Sequence, residues 1–109
     1  MAKPDSPLEK EVKKAINRYL KELGEGVWYH YSSFGGTPGV ADKLGLFRGE
    51  YIAIESKREH RRREKNGGLS PAQVTFRDRV LKNGGHFITA YGEREVREYF
   101  EKYLLALPK

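Results

Sequence analysis

The chain has 109 residues, of which 38% are hydrophobic and 33% charged, which suits one small globular domain over residues 1–109. The absence of cysteine excludes disulfide bonds and zinc sites built from thiolates. No apolar run approaches the ~20 residues of a membrane span, and no secretory signal pattern is present, so we expect a cytoplasmic protein. The net charge of +6 favours a polyanionic partner, although charge alone is weak support for one.

The first predicted helix follows a capping-box pattern. Ser6 is the expected N-cap, Pro7 the first helical residue and Glu9 the N3 acid, while residues 1–5 are expected to form a disordered end. Apolar residues then recur at helical spacing as far as Gly24, which ends the helix. We favour a solvated helix face over DNA contact for its basic residues, which are Lys10, Lys13, Lys14, Arg18 and Lys21.

An aromatic strand is predicted over residues 27–32, followed by a loop with several glycines over residues 33–39. Glycines let a backbone approach a ligand closely, so this loop is either a phosphate-contacting segment or a flexible connection. His30 and Ser32 lie where strand and loop meet. A lone histidine at such a place is more commonly structural than catalytic.

Two strands joined by a tight turn are predicted between Asp42 and Lys57. Residues i and i+2 of a strand point to one face, so Glu55 and Lys57 should emerge side by side, and the hairpin brings Asp42 back beside Glu55. Two carboxylates and a lysine suit a hard divalent cation and metal-assisted phosphodiester hydrolysis. The alternative is a surface hairpin that ends in an ordinary Glu/Lys pair. The glycine-containing turn before Asp42 and the strand-like flanks favour an active site.

Residues 58–68 lack aliphatic side chains and are expected to form an exposed, mobile loop. Residues 57–65 contain six Lys or Arg and two Glu. Because this stretch directly follows the predicted active strand, we interpret it as a phosphate-contacting arm rather than a solvated run of charge. Its predicted DNA-binding residues are Arg58, Arg61, Arg62, Arg63 and Lys65.

A second capping box opens the next helix, with Ser70 as N-cap and Gln73 at N3, and residues 83–85 end that helix. A strand over residues 86–91 and a last helix over residues 93–105 complete the chain. The predicted order is α-β-β-β-α-β-α, an α/β fold with a small mixed sheet flanked by helices.

Four segments together resemble a known nuclease family. They are Gly39-Val40-Ala41-Asp42, the run from Gly45 to Lys57, Leu69-Ser70-Pro71-Ala72-Gln73 and Gly84-Gly85. This set is similar to the virus-type replication-repair nuclease (VRR-NUC) domain of the PD-(D/E)xK superfamily, and the resemblance extends over nearly the whole chain. Ala41 stands where the family usually has proline, and alanine can adopt the same extended conformation.

The resemblance implies a restriction-endonuclease-like core and a Mg²⁺-dependent, structure-specific DNA endonuclease, with Mn²⁺ as a substitute metal. It further implies a homodimer, similar to Holliday-junction resolvases, that cuts branched or four-way DNA and leaves a 5′-phosphate. If the source is viral, the enzyme is expected in the cytoplasm of the host cell. Two alternatives stay open: a nuclease of flap, nicked or duplex DNA, and a DNA-binding module without catalysis. The interface of a dimer is expected among surplus apolar residues, namely Trp28, Tyr29, Tyr31, Phe34, Phe47 and the last helix.

The expected site residues fall into three groups. The metal ligands are Glu9, Asp42, Glu55 and the backbone carbonyl of Ser56. The catalytic residues are Asp42, Glu55, Lys57 and Gln73. DNA contacts are expected from Ser32, Gly35, Gly36 and the basic arm. Glu9 and Gln73 each have a second interpretation as helix-capping residues, and Glu11 is the fallback ligand on the first helix.

Overall fold

The computed structural model describes residues 7–32 and 36–109. Within these ranges the helices and strands follow the predicted order α-β-β-β-α-β-α. The predictions for residues 1–5, Ser6, Phe34 and Gly35 lie outside the described residues. The elements are α1 (Glu9–Glu22), β1 (Val27–His30), β2 (Lys43–Phe47), β3 (Glu50–Ser56), α2 (Pro71–Lys82), β4 (His86–Ala90) and α3 (Glu93–Tyr99).

Helix α1 begins later than its sequence pattern predicts, and this corrects the assignment of Glu9 as the N3 residue. The N-cap is Leu8, whose backbone is extended, and Glu9 is the first helical residue. The carboxylate of Glu11 accepts a hydrogen bond from the Leu8 N–H at 3.1 Å. Glu11 therefore does the capping work at N3, and Glu9 is free of it.

The four strands form one mixed sheet in the order β1-β2-β3-β4. The first two pairings are antiparallel, and β3 pairs with β4 in parallel. Arg48 and Gly49 connect β2 to β3 with φ angles of 50° and 84°, the left-handed conformation that a two-residue hairpin turn requires. This turn fixes the register that carries the end of β3 back beside Asp42.

Two hydrophobic clusters cover the two faces of the sheet. Ile52 and Ile54 of β3 pack with buried residues of α1 and α3, whereas Ala53 packs with Leu69 and Val80 on the side of α2. This alternation follows from the two-residue period of a strand. It places Glu55, which shares the parity of Ala53, on the α2 side at the end of β3.

The capping box of α2 is confirmed. The Ser70 hydroxyl accepts from the Gln73 N–H at 3.2 Å, and the Gln73 side chain accepts from the Ser70 N–H at 2.9 Å. The last helix differs from expectation, because α3 ends at Tyr99 and continues as a π-helical turn over Phe100–Leu104. Tyr103 of this turn is 49% exposed.

The segment that follows β3 is exposed as expected, and part of it is regular. Glu59–Arg63 forms a 3₁₀ helix, whereas the turn over Lys65–Gly68 holds Asn66 and Gly67 in the left-handed conformation, with φ angles of 55° and 65°. The Tyr91 hydroxyl donates to the Gly67 carbonyl at 2.6 Å and ties the segment to the end of β4. No helix within residues 7–32 and 36–109 is long and apolar enough to cross a membrane.

Candidate metal-dependent active site

Asp42 is held against the end of β3 by two hydrogen bonds. One carboxylate oxygen accepts from the Ser56 N–H at 2.9 Å, and the other lies 3.4 Å from the Ser56 hydroxyl. The backbone of Asp42 is fixed as well, because its carbonyl accepts from the Tyr31 N–H at 2.8 Å. Burial raises the pKa of Asp42, and the Ser56 N–H opposes that rise.

Glu55 and Lys57 lie side by side as the strand period predicts. Both side chains are nearly buried, and Lys57 Nζ is 3.9 Å from Glu55 Oε2. Burial and the nearby negative charge of Asp42 raise the pKa of Glu55 to about 7, although Lys57 and the Asp42 N–H act in the opposite direction. The rise in the pKa of Glu55 means that the positive charge of Lys57 does not offset the effects of burial and of the Asp42 carboxylate.

One small cavity of about 250 Å³ brings the predicted groups together. Glu9, Asp42, Glu55 and Gln73 all line it: Glu9 comes from α1, Asp42 and Glu55 come from the β2–β3 hairpin and its start, and Gln73 comes from α2. Three separate parts of the fold therefore converge on one point. The remaining lining residues are Lys13, His30, Tyr31, Ser32 and Val40. Lys57 is not among them and approaches the site through its contact with Glu55.

A larger cavity of about 480 Å³ lies along α2 and shares Val40 with the first. Its walls include Pro38, Tyr51 and Phe76, and no carboxylate lines it. Carboxylates are the groups that metal-assisted hydrolysis needs, so the smaller cavity is the site of interest despite its size.

Glu9 and Gln73 were each interpreted either as a helix cap or as a site residue, and the structure gives a different answer for each. Glu9 caps no N–H group of the residues that the structure describes, and it lies in the cavity, where its carboxylate is 3.3 Å from Lys13 Nζ. Gln73 does both things, because its side chain completes the capping box of α2 and also lines the cavity. Glu11, the fallback ligand, is exposed, and its carboxylate already accepts a hydrogen bond from the Leu8 N–H.

The donor atoms fit a hard cation of the Mg²⁺ type. Asp42 and Glu55 offer buried carboxylate oxygens, and Mg²⁺ is held in proteins by one or two carboxylates with water and phosphate completing its shell. Within the described residues no group of three or more His, Cys, Asp or Glu is arranged to hold a metal ion. Glu9 is paired with Lys13 and lines the same cavity as Asp42 and Glu55.

The predicted DNA-contacting residues separate into paired and unpaired side chains. Arg61 bonds to Glu64 at 2.6 Å, and Arg62 bonds to Glu59 at 2.7 Å and to Glu95 at 3.2 Å. Arg58 donates to the Pro7 carbonyl. Two cations of the arm, Arg63 and Lys65, are exposed and make no ion pair with any residue in the described ranges.

The glycine loop is described only from Gly36 onward. Ser32 lines the cavity, and the Thr37 N–H donates to the Tyr31 hydroxyl at 2.8 Å beside Gly36. Gly39 has a φ of 88°, and a Cβ there would lie 2.5 Å from the Ala72 carbonyl oxygen. The close approach of this turn to α2 therefore requires glycine, and it sets the position of Asp42 three residues later.

Sequence reasoning missed four residues of the cavity, which are Lys13, His30, Tyr31 and Val40. Lys13 was assigned to the solvated face of α1, and His30 was assigned a structural role, yet both line the cavity beside Asp42. The signal for Lys13 was its position four residues after Glu9, which places both side chains on one face of a helix.

No protein-family model matches the chain, and no curated protein is similar to it in sequence. Function is therefore inferred from the groups in the cavity, together with the motif resemblance.

Proposed function

We propose that the protein is a Mg²⁺-dependent DNA endonuclease of the VRR-NUC type, built on a restriction-endonuclease-like core. The convergence of Glu9, Asp42, Glu55 and Gln73 on one cavity carries this proposal. The order of elements and the mixed sheet support it. The net charge of +6 supports a polyanionic substrate.

Each group in the site has a chemical task. Asp42 and Glu55 hold the cation, with the Ser56 carbonyl and Glu9 as further oxygen donors. The bound Mg²⁺ supplies Lewis acidity towards the scissile phosphate and lowers the pKa of a coordinated water. Lys57, held beside Glu55, orients the attacking water or stabilises the negative charge that develops on the phosphate oxygens. Gln73 faces the same space from α2 and positions water or substrate.

Four-way junction DNA is the proposed substrate, with a homodimer as the active form, because one copy of the site cuts one strand and a junction needs two symmetric nicks. The sheet offers a surface for that dimer. Val27, Leu46 and Tyr51 are direct cross-strand neighbours and lie exposed in one row, with Tyr29 on the same face. Helix α1, which carries five of the chain's Lys and Arg residues, packs on the opposite face of the sheet.

This surface replaces part of the interface expected from sequence. Phe47 is fully buried, and the Trp28 ring packs against Phe47 and Phe100, so neither is available to a partner. Leu46→Lys should convert a dimer to a monomer in light scattering at micromolar concentration. Leu81→Lys, an equally exposed leucine on α2, is the control and should leave the dimer intact.

The decisive experiment is incubation with Mg²⁺ and labelled junction, flap, nicked and linear DNAs of matched sequence. We expect preferential junction cleavage with 5′-phosphate ends. Fast cleavage of flap, nicked or linear DNA instead would replace the resolvase assignment with a different nuclease preference. DNA binding without cleavage of any substrate in Mg²⁺ or Mn²⁺ would reduce the protein to a binding module.

A further inference from the structure

Lys13 occupies a place that no other cation of α1 occupies within the described residues. Its ammonium lies 3.3 Å from the Glu9 carboxylate, and its side chain is one-third exposed. It lines both of the small cavities that border Asp42. The other basic residues of the helix line neither of them; these are Lys10, Lys14, Arg18 and Lys21.

An ordinary helix-surface ion pair would join Glu9 to Lys13 and involve nothing else. Here Lys13 also lines, together with Asp42, both of the small cavities. Lys13 thus lies beside two carboxylates that come from different parts of the chain. Lys13 comes from α1, whereas the Glu55–Lys57 pair comes from the end of β3.

We propose that Lys13 is the resident counter-ion of the acidic cavity and competes with the divalent metal for the carboxylates of Glu9 and Asp42. This inference rests on the proposed function, because it concerns the metal of that same site. In the metal-free protein the ammonium pairs with the Glu9 carboxylate at 3.3 Å, within the cavity that Asp42 and Glu55 also line. Metal binding releases Glu9 from Lys13, and the freed ammonium then faces the incoming DNA phosphate.

The consequence is a site that binds metal weakly without DNA and more firmly with it. A cation beside the carboxylates opposes the entry of a second cation by direct repulsion. A DNA phosphate at the cavity draws Lys13 away from Glu9 and removes that repulsion. DNA and metal therefore favour each other's binding through Lys13, and the coupling is reciprocal.

The test measures the dissociation constant of Mn²⁺ by calorimetric titration, with and without junction DNA bearing a non-cleavable phosphorothioate at the cut site. Lys13→Met removes the charge and keeps the length of the side chain. Lys14→Met is the matched control, because Lys14 is exposed on the same helix and lines neither cavity. Lys13→Arg keeps the charge and should behave like the wild type.

In the absence of DNA, Lys13→Met should bind Mn²⁺ on the order of tenfold more tightly than the wild type, whereas Lys14→Met should change little. The gain in Mn²⁺ affinity that DNA produces should shrink in Lys13→Met alone. Equal Mn²⁺ affinities for Lys13→Met and Lys14→Met, with metal binding intact in the wild type, would overturn the role of Lys13 and leave the nuclease proposal standing. No Mn²⁺ binding by any of the proteins would overturn both.

Discussion

The two ends of β3 carry two polar clusters that differ in how fully their groups are paired. At the first end, Glu50 lies 2.8 Å from His86 Nε2, and His86 Nδ1 lies 2.7 Å from the Tyr99 hydroxyl. At the far end, the carboxylates of Asp42 and Glu55 lie close together, and Lys57 contacts the carboxylate of Glu55. The far end is also the more deeply buried, because the Glu55 and Lys57 side chains are 8% and 9% exposed and the Glu50 side chain is 37% exposed.

The first cluster is satisfied by its own members. A carboxylate only accepts, so His86 Nε2 donates to Glu50, and Nδ1 shares the second hydrogen bond with the Tyr99 hydroxyl. In the second cluster burial is the main cause of the raised pKa values of Asp42 and Glu55, and the nearby positive charges do not offset it. A polar cluster that completes its own hydrogen bonds stabilises a fold, whereas one that lacks a cation is suited to bind one.

The largest expected effect comes from removing a carboxylate at the far end. Asp42→Asn or Glu55→Gln should abolish cleavage, because each removes a charged ligand of the metal. DNA affinity should stay equal or rise slightly, since a negative charge is lost beside phosphates. Gel-shift binding in Ca²⁺ and single-turnover cleavage in Mg²⁺ measure the two properties separately.

Glu50→Gln is the matched control at the first end of the strand and should keep cleavage within about twofold of the wild type. Full activity of Asp42→Asn or Glu55→Gln at saturating Mg²⁺ would remove the assignment of the far end as the active site. Loss of activity in Glu50→Gln alone would reverse the comparison.

Lys57 should account for the next largest loss. Lys57→Ala should slow single-turnover cleavage on the order of 10²–10⁴-fold, because electrostatic and acid–base groups contribute that much to such reactions. Metal affinity should change little, since an ammonium is not a ligand. A rate loss under about threefold would show that Lys57 only balances the charge of Glu55.

The difference between the ends also predicts a dependence of stability on pH. The pKa of Glu55 is raised from 4.5 to about 7, so the folded protein binds this proton more tightly than the unfolded chain does. Its contribution to stability is complete below pH 4.5 and is lost as the pH rises through about 7. At pH 8 the ionised group then costs at most ~3 kcal/mol of the free energy of unfolding.

Glu55→Gln removes that cost, so the metal-free variant should be more stable than the wild type at pH 8 by roughly 1–3 kcal/mol, and the difference should vanish near pH 4.5. Urea unfolding at both pH values measures it. Glu98→Gln, an exposed position on α3, serves as the control and should show no such pH-dependent gain. A variant that is both inactive and more stable would show that Glu55 lowers the stability of the fold although activity requires it.

The order of elements could be predicted from the sequence because local signals define it. The Ser70 and Gln73 capping box, the Arg48-Gly49 turn and the alternation along β3 each involve residues close in the chain. The same local reasoning placed the start of α1 too early. Glu9 fits the capping pattern of the sequence, whereas the observed N3 residue is Glu11, and only the backbone conformation of Leu8 places the start of the helix.

The candidate site was only partly predictable, for a different reason. Glu55 and Lys57 follow from strand period alone, and the hairpin implies Asp42. The approach of α1 to this point depends on packing through Val12 and Ile16 against the sheet, which no local pattern encodes. The position of Lys13 in the cavity therefore required the structure, and Glu9 was expected there only from the family resemblance.

The smallest expected effects belong to the basic segment that continues from the far end of β3. Arg63 and Lys65 are exposed without an ion pair among the described residues, whereas Arg61 and Arg62 are held by Glu64, Glu59 and Glu95. A cation already paired with a carboxylate must break that pair, or share it, to neutralise a phosphate. We therefore expect the unpaired residues to contribute more to DNA binding than the paired ones do.

Each lost phosphate contact should reduce the slope of log K against log salt by about 0.9 on duplex DNA. Arg63→Ala combined with Lys65→Ala should flatten the slope by nearly two such steps and weaken binding to every DNA alike. Arg61→Ala combined with Arg62→Ala removes the same formal charge and is the matched comparison. Because it leaves Glu59, Glu64 and Glu95 unneutralised, it should lower affinity through general repulsion, with a smaller change in slope. Equal slopes in the two double variants would mean that DNA opens the ion pairs on binding and uses all four cations, which would extend the DNA-binding surface along the whole segment from Arg61 to Lys65.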